Sequence, residues 1–200
     1  MRRPRGVLVE VANGFFARLQ GVLQPATARV STPEGLRSAG VLVPLRESGG
    51  EVTVVLARRT ERVPHHKGQI CFPGGSRDPG DADLLQTALR EAGEELGILR
   101  GDVEILGSMD PVQTVTGFCI QPFVSRLSSG AMFRLDDFEM AEVFEAPLAI
   151  FGQLDRYRYA ESISGGEPHR VYFFDHGPHT IWGATATILR RLAELASRVR

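Results

Sequence analysis

The chain has 200 residues, 42% of them hydrophobic, with 23 Lys and Arg against 24 Asp and Glu and a formal net charge of −1. That length suits one domain with a real core, and the balanced charge excludes the broad basic field of an obligate nucleic-acid binder. No apolar stretch reaches the roughly 18 residues of a membrane span, and two cysteines, Cys71 and Cys119, are too few for a disulfide framework.

Both cysteines sit in apolar runs and are expected to be buried free thiols, which fits a cytoplasmic protein. The start is basic, then apolar, but Glu10 and Asn13 interrupt it too early for a signal peptide. Residues 11–23 predict a short amphipathic helix with Phe15, Phe16, Leu19 and Leu23 on one face. A Pro-containing connector follows. "AGVLVPLRE" and "EVTVVLARR" predict a hairpin turned at "SGGE", and "GQICFPGGS" a third strand that ends at its Gly pair.

After a loop, "RDPGDAD", residues 82–96 predict a helix stopped by Gly97. "VEILGSMDPVQT" and "FCIQPFVSRL" read as two further strands. "FEMAEVFEAPLAIF" changes from strand to short helix near Pro147, and "YRYAES" with "HRVYFFDH" forms an antiparallel pair. Residues 184–199 close the chain as a helix buried along Ile188, Leu189, Leu192 and Leu195. The expected fold class is α+β, a mixed sheet between helices. The whole chain is expected to be one domain, with a core over about 37–192 and an N-terminal helical extension.

The chemistry gathers on "ALREAGEELG", residues 88–97. Positions i, i+3 and i+4 share a helix face, so Glu91, Glu94 and Glu95 project together, while Leu85, Ala88, Leu89, Ala92 and Leu96 form the packing stripe. Arg90 can pair with Glu94 at i+4. Three acids alone are compatible with an ordinary solvated face. The loop ahead of them, "FPGGSRDPGD", adds Gly74 and Gly75, where backbone can approach a ligand closely, and a further acid, Asp81. Hard divalent cations seek such clusters of carboxylate oxygens.

This combination resembles the Nudix box, G-x5-E-x7-R-E-U-x-E-E-x-G-U, with U aliphatic. Gly75, Arg90, Glu91, Ala92, Glu94, Glu95, Gly97 and Ile98 fill its places. Asp81 stands where the mid-loop Glu belongs, and Arg90 then comes one residue late, which leaves the role of Asp81 open. The stretch upstream resembles the signature of coenzyme A pyrophosphatases: Leu56, Arg59, His66, Gly68, Phe72, Pro73, Gly74 and Gly75 match, and Val55, Ala57 and Val63 replace Leu, Thr and Leu. "IWGATATIL" resembles the ending of that subgroup, so the likeness runs from about Ala39 to Leu192.

The resemblance implies a Nudix fold and metal-dependent cleavage of CoA or its derivatives into 3′,5′-ADP and 4′-phosphopantetheine, or the acyl form of the latter. It implies Mg²⁺ or Mn²⁺ on Glu91, Glu94, Glu95 and Gly75, with Arg90 in support. Substrate would meet Arg59, His66, Gly68, Phe72 and Gly74. Glu142 or Glu139 is the candidate for a general base outside the box, and both also read as exposed strand charges. Arg58 should point away from Arg59 in an extended segment. Phe72 and Trp182 read either as core or as substrate contacts. Another nucleoside diphosphate compound, such as a nucleoside triphosphate, ADP-ribose or a dinucleotide, is the alternative substrate. Neither nucleic acid nor membrane is expected as a partner, and a homodimer is left open.

Overall fold

The structure is a computed structural model that describes residues 14–28, 31–164 and 167–199. The first helix, α1, covers residues 14–20. It buries Phe16 and Leu19, as its periodicity predicts, while Phe15 and Leu23 pack at the edge; residues 11–13 of the expected helix lie outside the described residues.

Strands β1 (Arg37–Ser48) and β2 (Glu51–Arg59) pair antiparallel, with Ser48 opposite Glu51. Gly49 and Gly50 both take positive φ, 62° and 89°, as a two-residue hairpin turn requires. The expected third strand is split. β3 (Ile70–Cys71) pairs with β2, whereas β4 (Gly74–Ser76) crosses to pair with β1. Pro73 has no N–H for a ladder, but its carbonyl accepts from Leu42 N at 2.9 Å. The Gly pair therefore does not end a strand; it is one.

"VEILGSMDPVQT" also divides, into β5 (Val103–Ser108) and β6 (Val112–Gln113), separated at Asp110–Pro111; both pair antiparallel with β7 (Phe118–Leu127). β7 runs parallel to β1 through the sheet centre, and β8 (Met140–Pro147) joins β2. A sheet centre buried on both faces explains the unbroken apolar run of β1. A separate three-stranded sheet comprises β9 (Arg158–Ser164), β10 (Glu167–His176) and β11 (His179–Trp182). The sequence reading missed β11, a four-residue strand with one fully buried apolar side chain, Ile181.

Two helices clasp the large sheet. α2 (Leu84–Leu96) lays Ala88, Ala92 and Leu96 on Leu42, Val55 and Ala57. α3 (Gly183–Ser197) lays Ile188, Leu189 and Leu192 on the other face, against Val43, Leu45, Val54 and Leu56. Each Leu, Ile or Val so buried contributes about 1.5–3 kcal/mol. α2 sits so close to β1 that a Cβ on Gly40 would stand 2.2 Å from the Leu84 carbonyl oxygen. The mixed sheet between helices is as expected. No helix among the described residues is long and apolar enough to cross a membrane.

Candidate functional site

Local signals set α2 in place. Asp83 caps its start by accepting from Gln86 N at 2.8 Å. Gly97, at φ 67°, ends it in the left-handed cap conformation, with Ile98 N bonded to Ala92 O. The three acids of the last two turns then differ in burial. Glu94 is exposed, Glu91 is half-buried, and Glu95 is 3% exposed.

Glu95 is the inward member. Its Oε2 accepts from Gly74 N at 3.0 Å and its Oε1 from Arg59 Nη1 at 2.8 Å. The other arm of Arg59, Nη2, donates to Glu139 Oε2 at 2.8 Å. Burial pushes the Glu95 carboxyl up to about 7, against the Gly74 hydrogen bond and the Arg59 charge, with Glu91 adding repulsion. Burial raises Glu91 as well, with Glu94 and Glu139 adding to it.

A carboxyl whose folded pKa exceeds its unfolded value stabilises the fold below the unfolded pKa and loses that contribution as pH rises through the folded one. In metal-free protein, Glu95 therefore costs stability as pH climbs from about 4.5 to about 7. A cation bound at Glu95 would have to displace that proton. Mn²⁺ or Mg²⁺ affinity, measured by calorimetry in the absence of substrate, should be about tenfold weaker at pH 6 than at pH 8. Equal affinities at the two pH values would contradict this.

Arg90 organises the remaining acids. Its Nη1 lies 2.8 Å from Glu94 and 2.9 Å from Glu91, and its Nε and Nη2 clamp Asp81 at 3.1 and 3.2 Å. Asp81 also accepts from Thr87 Oγ1 at 2.9 Å and Asp78 N at 3.0 Å. The Arg90 bond, with help from Asp78 N–H, holds its carboxyl far below the usual range. Asp81 is thus the buried anchor of the loop and the seat of Arg90, a role its spacing in the sequence left open.

The glycines provide clearance. A Cβ on Gly75 would stand 2.4 Å from Glu91 Oε1, so only glycine leaves that carboxylate its place. Among the described residues, no three His, Cys, Asp or Glu side chains converge as a finished metal cage. The donors nevertheless fit a hard divalent ion in type: crowded carboxylate oxygens, two with raised pKa, held by two arginines.

Beside Arg59 and Gly74 opens a cavity of about 820 Å³. His66 and Phe72 line it; His66 has φ 58° and shares a hydrogen bond with Gln69, and Phe72 is otherwise a core residue. Gly68 is not on the wall; at φ 64°, with Glu61 packed where a Cβ would go, it shapes the turn. Cys71 is only half-buried and lines the cavity, unlike the buried Cys119, a departure from the expectation for both thiols. The sulfur itself is desolvated, which pushes the Cys71 thiol up to about 12 and keeps it protonated. Trp182 is 39% exposed, stacks on Phe173 at 6.1 Å and faces the cavity, so it is not a core side chain.

Glu142 is not brought to the other acids. It pairs with Arg58 at 3.1 Å and lies 3.5 Å from His179, whose ring stacks on Phe144. Alternation sends Arg58 to the α3 side of the sheet and Arg59 to the α2 side, and Glu142 goes with Arg58. Of the two outside acids, Glu139 is the one that shares Arg59 with Glu95. The residues from Pro111 to Thr116 that form part of the cavity wall carried no sequence signal of their own.

The NUDIX domain family model matches residues 36–157. The chain belongs to the Nudix family. It is 38% identical over 180 residues to a Nudix hydrolase named NudL from Photorhabdus laumondii, covering 90% of this chain and 95% of that one. It is 40% identical over 180 residues to the NudL of Yersinia enterocolitica, covering 90% of each. Among solved structures, a NUDIX hydrolase from Alicyclobacillus acidocaldarius is similar over 80% of this chain and 91% of that one, at 18% identity and a TM-score of 0.49. The chain is accordingly a Nudix hydrolase, of a family that acts on small molecules and generally depends on divalent metal. The Nudix box maps onto the second half of the Gly74–Gly75 crossing, the Asp81 loop and α2.

Proposed function

We propose that this Nudix hydrolase cleaves the diphosphate of coenzyme A or a CoA derivative, with Mg²⁺ or Mn²⁺ held by Glu91, Glu94, Glu95 and the Gly75 carbonyl. The observation that carries the reading is where the upstream signature falls. Arg59, His66, Phe72 and Gly74, which match the CoA pyrophosphatase signature, line the cavity beside the acids. The three departures, Val55, Ala57 and Val63, are all buried, so they alter packing and leave the cavity wall as the signature has it.

A bound divalent ion would offset the charge on the diphosphate oxygens and make the attacking water more acidic. Arg59, which lines the cavity, binds a phosphate oxygen through its guanidinium, whose Nε has no hydrogen-bond partner among the described residues. Glu139, already within reach of Arg59, receives the proton of the water; Glu142, on the other face, does not take part. The water oxygen bonds to one phosphorus as the bridging P–O bond breaks. The products are two phosphomonoesters, 3′,5′-ADP and 4′-phosphopantetheine or its acyl form. The free thiols accord with a cytoplasmic setting.

The test is product analysis after incubating the protein with CoA, ADP-ribose, a dinucleotide and nucleoside triphosphates, each with Mg²⁺ and with Mn²⁺. CoA should yield the two named products at the highest kcat/KM. Faster cleavage of ADP-ribose or of a triphosphate would replace CoA by that compound.

A further inference from the structure

The cavity wall has a one-sided charge. Arg59, Arg170 and Arg191 line it, beside His65, His66 and His169, and among the described residues no Asp or Glu does, in a chain whose net charge is −1. Arg59 is neutralised by Glu95 and Glu139. Arg191 makes no ion pair among the described residues. Its Nη1 donates to the Pro111 carbonyl at 3.2 Å, and the acid next to it, Asp110, turns its carboxylate to Gln24 instead. Arg191 is partly buried and anchored by main chain, a fixed positive charge without a counter-charge among the described residues.

Its position along the cavity is set by α3. Ala184, Thr187, Ile188 and Arg191 recur at the spacing of one helix face, and all four line the cavity. The start of α3 follows β11, which packs beside β3 and so near the acid end. Seven residues of helix rise carry the wall about 10 Å further from that end to Arg191. Val112, Ile120 and Ile188 add apolar surface to the same wall. The two ends of the cavity thus differ: at one, Arg59 and Gly74 form the wall, with the Glu95 carboxylate bonded behind them; at the other stands the Arg191 guanidinium, without an ion pair among the described residues.

We infer that Arg191 is a specificity-determining residue that binds a second anionic group of the substrate, a phosphomonoester remote from the scissile diphosphate. The inference rests on the CoA reading, in which that group is the 3′-phosphate of the ribose. A charge-assisted bond from a guanidinium to phosphate of this kind corresponds to about 10- to 100-fold in kcat/KM. It is sequence-distant from the Nudix box and lies beyond residue 157, where the family match ends.

The experiment compares CoA with 3′-dephospho-CoA on the wild type and on Arg191→Gln, Arg191→Lys and Arg170→Gln. The wild type should prefer CoA by about 10- to 100-fold in kcat/KM. In Arg191→Gln that ratio should fall towards one, mainly through a higher KM for CoA; Arg191→Lys should keep part of it. The ratio is its own control for folding, because one sample of enzyme is read with both substrates. An equal loss on both substrates in Arg191→Gln, no preference in the wild type, or collapse of the ratio in Arg170→Gln alone would overturn the assignment. Were neither CoA nor its dephospho form cleaved while another diphosphate was, the CoA reading itself would fail and this inference with it.

Discussion

Glu95→Gln should lower kcat with the preferred substrate by on the order of 10²–10³-fold while leaving the melting temperature at pH 8 within about 3 °C of wild type. Such a loss is about 3–4 kcal/mol of barrier. The split between activity and stability follows from what Glu95 costs the fold. Its carboxylate is buried, with a pKa of about 7. A glutamine of the same shape removes that buried charge. It also forfeits the pairing with Arg59, which keeps Glu139 as a partner. The two changes oppose each other in stability, but both remove the anionic oxygens offered to a cation. Calorimetry should show weaker Mn²⁺ binding in the same variant. Full activity in Glu95→Gln would remove this residue from the proposed metal site and, with it, the role proposed for the buried half of the acidic helix.

The second large effect is on folding. Gly40→Ala should destabilise the protein by about 3 kcal/mol, the upper part of the range for forcing extra atoms into a packed core. For a chain of this size that is a fall in melting temperature of roughly 6–12 °C. The added Cβ would meet the Leu84 carbonyl oxygen at 2.2 Å and its carbon at 3.2 Å. Neither is a flexible side-chain end, so α2 or β1 must move as a unit. Because α2 carries Glu91, Glu94 and Glu95, activity should fall along with stability, in contrast to Glu95→Gln. A melting temperature within 1 °C of wild type would mean that the helix and strand do not approach as closely as described.

Much of this architecture was legible in the sequence because period and punctuation agree there. The first hairpin had alternating or continuous apolar strands around a Gly pair, and α2 had an apolar stripe and a stop at Gly97; its cap at Asp83, one residue inside the expected start, came with the structure. What was not legible depended on long-range placement. Nothing local says that the chain leaves β2 after Cys71 and pairs with β1 from Gly74 onwards, yet that crossing delivers Gly74 N–H to Glu95. Gly40 stands in an apolar run like any strand glycine, and its importance lies in a helix 44 residues later in the chain.

The site shows the same division. The acids of α2 stood out only together with the Gly74–Gly75 loop and the box pattern, since their spacing alone also fits a solvated face. Glu142 and Glu139 looked alike, three residues apart, because the sequence does not show the register irregularity at Arg58/Arg59 or the loop that turns Glu139 towards α2. Asp81 was visible as an acid at the place of the mid-loop Glu. That it spends itself on Arg90, Thr87 and the loop backbone needed the structure.

The cavity joins two parts of the chain that have different liabilities. Its acid end is built from residues before the family match ends at 157, whereas much of the opposite wall comes from β10, β11 and α3. Ile188 belongs to that wall and to the core at once, so the surface that would sort molecules is also part of what keeps the chain folded. A lineage of such enzymes could therefore retool what it accepts by rewriting its last forty residues without disturbing the cutting edge. At positions such as Ile188, however, every gain in selectivity is drawn from the same atoms that secure the tertiary structure, and the exposed face of that wall, where Arg170 and Trp182 stand, is where change is freest.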